Sequence, residues 1–207
     1  MIVTISRVYG CSALAIAERV ADRLGYTLVD KQLPAAVATR LGVSREAAEA
    51  IDAGPPPLAE RLLQGLAIAA PEGVSPNPPR LNDIDAAFVR ELEHAVREFA
   101  THGDCVFLGR VAGRVLRDHG GVLRVFICAP SEWRVTHLIA ALGLDERTAR
   151  SEIQRIDAAR EEYARTWYDV ELADARNYDL TLDSSRYGVD GSVELILAAL
   201  HAGADPA

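Results

Sequence analysis

Cysteine is scarce: the 207 residues hold only Cys11, Cys105 and Cys128, and no two stand in a Cys-x-x-Cys spacing. An odd number without a paired framework excludes a disulfide scaffold and points to a reducing compartment, so a cytoplasmic protein is expected. The histidines, His94, His102, His119, His137 and His201, are scattered without metal-ligand spacing, and no metal site is assigned to them. No apolar run approaches the ~20 residues that a membrane helix needs. Residues 13–17 slightly resemble a signal-peptide cleavage region, but no basic residue precedes the apolar segment 1–5, which is too short for an h-region. No internal repeat is present. No Gly-x-Gly-x-x-Gly follows the first apolar run, which sets aside a dinucleotide-dependent oxidoreductase. A net charge of −8 argues against broad binding of nucleic acid or anionic membrane, while leaving room for a small basic pocket.

What is present is the composition of an ordinary globular protein, 49% hydrophobic and 25% charged, long enough for one domain with a substantial core. The first twenty-five residues organise the rest. An apolar run, Ile2-Val3-Thr4-Ile5, leads through Ser6-Arg7-Val8-Tyr9-Gly10-Cys11-Ser12 into a helical pattern from Ala13 to Leu24, which Gly25 stops. A buried strand, tight turn and helix in that order leave unpaired backbone N–H groups at the helix start, where anions are favoured. Phosphate-binding loops share this architecture and add a Lys and a hydroxyl, as in GxxxxGK[ST]. Here the equivalent helix start reads Ala13-Leu14-Ala15, with Gly10 retained and Ser12 a good N-cap. Gly10, Cys11, Ser12 and Ala13 are thus the candidate phosphate cradle; the plainer reading makes Gly10 a turn residue and Ser12 a cap. Cys11 would be reactive if the helix start lowered its pKa.

Further strands are expected at 26–30, 105–108, 123–129 and 178–182. Helices are expected at 31–41, 44–53, 58–70, 83–101, 111–118, 130–142, from an Asp145 cap to about 165, and at 189–201. Residues 71–80, rich in Pro and Gly, read as a mobile loop within the domain, and the tail 202–207 as frayed. Five short apolar strands separated by helices predict a parallel sheet covered on both faces, a three-layer α/β/α fold. Ligands in such sheets sit beyond the carboxyl ends of the strands. That rule selects Arg7–Ser12, Asp30–Lys31, Gly109–Arg110 and Asp183–Ser185, and the first three offer Arg7, Lys31 and Arg110 as cations for a phosphate. Asp157 and Arg160, three apart on a helix, could equally be a surface pair, and Trp133 and Trp167 read as packing residues.

The opening VTISRVYG, the blocks VFLGRVAGRVL and RVFICAPSEWRV, the tetrad DAAR and the strand NYDLTLDSS together resemble the cytidylate kinase-like family, in the nucleoside monophosphate kinase branch of phosphate-loop proteins. The resemblance spans about residues 1–200. It implies a phosphate-loop kinase fold with a lid at 145–170, and transfer of the terminal phosphoryl of ATP, with Mg2+, to CMP, dCMP or a related monophosphate. By position it puts Arg110 on the acceptor phosphate, Asp157 by the acceptor nucleotide, Arg160 by the phosphates and Arg134 near the donor nucleotide or lid; Arg110 and Arg160 are the expected catalytic pair. The sequence departs from the family where Leu14 replaces the loop's basic residue and where Val111 follows the Gly-Arg pair in place of Asp. A catalytically silent nucleotide-binding protein that keeps the fold is the alternative.

Overall fold

The computed structural model describes residues 1–30, 33, 37, 40, 81–109 and 111–203. Arg110, Lys31, the expected helices at 44–53 and 58–70, and the expected loop at 71–80 lie outside the described residues. The chain divides into two compact units, Met1–Asp30 with Phe99–Ala207, and Lys31–Glu98.

The first unit is built on five parallel strands: β1 (Ile2–Arg7), β2 (Thr27–Val29), β3 (Cys105–Leu108), β4 (Val122–Cys128) and β5 (Leu180–Asp183), in the spatial order β2-β3-β1-β4-β5. β1 is central because Ile2, Val3, Thr4 and Ile5 are apolar or small on both faces, and all four are buried. Its register places Ile5 opposite Leu108 of β3 and Arg7 opposite Ile127 of β4. Helix α1 (Ala13–Leu24) repeats small and branched apolar residues at helical spacing, so that Ala13, Ile16, Ala17, Val20 and Ala21 are buried. It shares one core cluster with Val193, Ile196, Leu197 and Leu200 of the C-terminal helix. A short helix, Ala112–Val115, lies against β1 and completes the third layer. This is a three-layer α/β/α fold.

The remaining helices, in chain order, are α2 (Leu81–Thr101), α3 (the Ala112–Val115 turn), α4 (Ser131–Leu142), α5 (Glu146–Tyr168) and α6 (Ser184–Gly203). Asp145 caps α5 as expected, its Oδ1 accepting from the Thr148 N–H at 2.9 Å. In the second unit the described part of α2 buries Phe88, Leu92, Ala95 and Val96 along one face, and Arg40 pairs with Glu98.

Several boundaries differ from the sequence reading. The helix expected from 111 begins at Ala112, because Val111 is left-handed at φ 52°, and it ends at Val115. A further helical turn from Ser184 precedes the last helix, and Gly188 (φ 64°, ψ −173°), which is not helical, separates it from the helix expected from 189. Asp183 opens that turn by accepting from the Ser185 N–H at 2.9 Å. α5 runs three residues beyond Arg165.

Phe107, fully buried in β3, is a test of the core. Phe107→Ala is expected to cost about 3–5 kcal/mol in urea unfolding, and a loss below about 1 kcal/mol would contradict the packing described.

Candidate functional site

The carboxyl edge of the sheet is set by β1 and the loop that follows it. Val8 N–H donates to the Ile127 carbonyl at 3.2 Å, keeping the loop on the β4 side, while Gly109 N–H donates to the Ile5 carbonyl at 2.8 Å on the β3 side. Gly10 turns the loop at φ 77°, and a Cβ there would lie 3.1 Å from Leu138 Cδ1 on α4. Glycine meets both demands without strain, the left-handed turn and the close approach of the Leu138 side chain.

Ser12 also departs from its expected role. It is left-handed (φ 58°, ψ 16°) and makes no capping bond; its Oγ lies 3.1 Å from His137 Nε2 instead. The αL backbone turns the hydroxyl away from the helix's own N–H groups, so sequence preference for a cap is overridden by the loop's geometry. No acidic residue stands in the first turn of α1, which leaves its positive end without a built-in carboxylate.

Cys11 is buried, and its thiol donates to the Val8 carbonyl at 3.1 Å and the Ile127 carbonyl at 3.4 Å. Burial raises its pKa to about 11, outweighing the lowering by the Ala13 amide and by Arg7, Arg160 and Arg134. The condition on which Cys11 would be reactive is therefore not met: the helix start is present, but desolvation of the thiolate exceeds it. Ser184, also buried, donates from Oγ to the Cys11 carbonyl at 2.8 Å and to that of Cys128 at 3.1 Å. It braces the loop from the end of β5.

The predicted site residues Arg134 and Asp157 meet on this loop. Arg134 Nη1, from α4, donates to the Tyr9 carbonyl at 3.0 Å and to Asp157 Oδ2 at 2.5 Å. Asp157 Oδ1, from α5, accepts from the Tyr9 N–H at 2.7 Å. The side chains are 11% and 27% exposed, so the pair is mostly withdrawn from water. Arg134 Nε is buried without a hydrogen-bond partner among the described residues. Arg160, one turn along α5 from Asp157, lies with Nη1 3.4 Å from the Arg7 carbonyl and its guanidinium 6.0 Å from the Tyr9 ring centroid. Asp157 thus pairs with Arg134 and the loop, not with Arg160 as the plainer surface-pair alternative had it. Trp133 packs on the main core and stacks on His137, ring centroids 4.9 Å apart.

Tyr9, His137 and Ser184 complete the surroundings of the loop; Tyr9 and Ser184 lie within the stretches selected at the strand ends, without a role of their own, and His137 was assigned none. For Ser184 a signal existed, its place directly after the last strand. For Tyr9 the bonded groups are backbone atoms, which no side-chain pattern reveals.

A parallel sheet in this order, with a loop and helix start at the end of its central strand, is the architecture of phosphate-loop kinases. Consistent with that, the fold superposes on an uncharacterised protein from Eubacterium ventriosum (TM-score 0.71, 19% identity, 98% of each chain). It also superposes on shikimate kinase from Bacteroides thetaiotaomicron (TM-score 0.53, 12% identity, 97% of this chain and 98% of that one). Residues 2–186 match the cytidylate kinase-like family, and the chain belongs to it. Among curated relatives, the cytidylate kinase of Methanopyrus kandleri is 30% identical over 118 residues, 53% of this chain and 61% of that one. That of Halorubrum lacusprofundi is 27% identical over 124 residues, 59% and 64% respectively. The matches thus span about three-fifths of these relatives' length. Among the described residues no helix is long and apolar enough to cross a membrane.

Two measurements check this geometry. Cys11 is expected to stay unlabelled by iodoacetamide at pH 7.5 in the native protein and to react only on unfolding, read by mass spectrometry; rapid native labelling contradicts its burial. Asp157→Ala removes the partner of a nearly buried guanidinium and of the Tyr9 amide, and is expected to cost about 1–3 kcal/mol in urea unfolding. An unchanged midpoint would show that the contact contributes nothing.

Proposed function

We propose that this protein is a nucleoside monophosphate kinase, transferring the terminal phosphoryl of ATP to CMP, dCMP or a related monophosphate. The observation that carries the reading is the gathering of Arg134 and Arg160 on the loop after β1, at the carboxyl edge where parallel sheets bind ligands. Family membership supports it. Phosphoryl transfer is chiefly positioning and neutralisation of spreading negative charge, so convergent guanidinium groups suit it.

In this reading an oxygen of the acceptor monophosphate attacks the terminal phosphorus of ATP in line, and the bond to the ADP oxygen breaks. Arg110 holds the acceptor phosphate, and Arg160 approaches the phosphates from α5, which acts as the lid over residues 145–170. Asp157 uses one oxygen for Tyr9 and the other for Arg134. Each oxygen keeps acceptor capacity for a hydroxyl of the acceptor nucleotide. Arg134 lies on the donor side.

The donor groups fit the loop unequally. Backbone N–H groups at the start of α1 suit a polyphosphate, with Gly10, Cys11, Ser12 and Ala13 as the cradle. Magnesium finds no matching side chain there: the first turn, Ala13-Leu14-Ala15, carries neither hydroxyl nor carboxylate, and Ser12 Oγ faces His137. This same helix start favours a second reading, a catalytically silent protein that binds nucleotide and keeps the fold.

A coupled assay with ATP and a panel of nucleoside monophosphates decides between the two: turnover with a cytidine or related monophosphate supports the kinase, and binding without turnover supports the silent form. Leu14 is 46% exposed, so Leu14→Lys should fold and should strengthen triphosphate binding. Unchanged triphosphate affinity in a folded variant would place the donor elsewhere.

A further inference from the structure

We propose that Arg7 is a phosphate-binding residue, placed in the crevice between β1 and β3 to supply the charge that the helix start after the loop does not. This rests on the nucleotide-binding reading above and adds a residue to it. The first support is topological. β1 connects onward to β2 and β3 onward to β4, so these adjacent strands send their connections to opposite sides of the sheet. Their carboxyl ends flank a topological switch point, the position at which open parallel sheets bind ligands.

Arg7 is the last residue of β1, and its side chain turns into that crevice. Its Nη1 lies within clashing distance of the point where a Cβ on residue 109 would stand, and its Cζ lies 3.5 Å from that point. Gly109, at φ 81° directly after β3, therefore leaves space for a guanidinium to cross the end of the strand. The lining carries more positive than negative groups, Asp157 being the carboxylate that pairs with Arg134 there. Arg160 reaches the Arg7 carbonyl from α5, and Arg7, Arg160 and Arg134 all act electrostatically on the Cys11 thiol between them. Arg134 from α4 and Arg160 from α5 thus reach the backbone at residues 7–9, with the Arg7 guanidinium beside Gly109.

Composition narrows the choice of cation. Lys31 is the chain's single lysine, so every other side chain of fixed positive charge that could meet a phosphate at this edge is an arginine. An arginine fork can offer two parallel N–H donors to phosphate oxygens, which an ammonium cannot. A purely structural Arg7, tying the ends of two strands together, would instead affect stability and leave binding untouched.

The test is calorimetric titration of the wild-type protein, Arg7→Lys and Arg7→Met with CMP and, separately, with inorganic pyrophosphate, alongside their melting temperatures. Wild type is expected to bind both probes. Arg7→Met should weaken both by about ten- to a hundredfold, and Arg7→Lys by a smaller but clear factor, with melting temperatures little changed. Undiminished affinity in Arg7→Met overturns the proposal, as does wild type binding neither probe. If Arg7→Met does not fold, Arg7→Lys decides, and full affinity there overturns it. Binding of pyrophosphate that depends on Arg7, with no binding of CMP or other nucleotides, keeps the phosphate site and refutes the nucleotide reading alone.

Discussion

The Asp157 carboxylate ties the long helix α5 to the loop that follows β1. One oxygen holds the Tyr9 N–H and the other holds Arg134, which itself holds the Tyr9 carbonyl. Both backbone polar groups of Tyr9 are thereby bonded to side chains from two different helices. The loop cannot be described without α4 and α5, and those helices gain a fixed point at the sheet's edge. Because the pair is mostly withdrawn from water, losing either partner leaves a charge or an amide poorly compensated.

The loop is equally constrained from beneath. The Cys11 thiol is spent on two carbonyls, and Ser184 grips the Cys11 carbonyl from the start of α6. A cysteine and a serine that could suggest chemistry serve instead to hold the backbone. Ala13 is buried at the first helical position, so the start of α1 presents backbone and the exposed Leu14 rather than a charged side chain. Positive charge comes from neighbouring elements: Arg134 from α4, Arg160 from α5 and Arg7 from the end of β1. That distribution explains how a phosphate-loop architecture can persist without the loop's own basic residue.

Much of the fold was legible in the chain. Continuous apolar runs such as Cys105-Val106-Phe107-Leu108 lie in the middle of the sheet, where burial on both faces removes any alternation. The strand, turn and helix at the start were equally plain, since Gly10 and the apolar spacing of α1 are local signals. What was not legible is tertiary. Ser12 is an ordinary cap by type, but the loop places it left-handed and directs it to His137. The spacing of Asp157 and Arg160 puts them one turn apart on a helix, yet says nothing of a partner in Arg134 or of the Tyr9 amide far away in sequence. Whether the helix start would lower the Cys11 pKa could not be read from the helix start alone, because burial among strands decides it the other way.

In the proposed reading, an acceptor phosphate met by Arg110 and Arg160, beside a donor loop whose helix starts with Ala13-Leu14-Ala15, implies unequal affinities for the two nucleotides. Isothermal titration of the wild-type protein with CMP and with Mg-ATP measures that inequality directly. Tighter binding of CMP is the expected result; clearly tighter binding of Mg-ATP would contradict it.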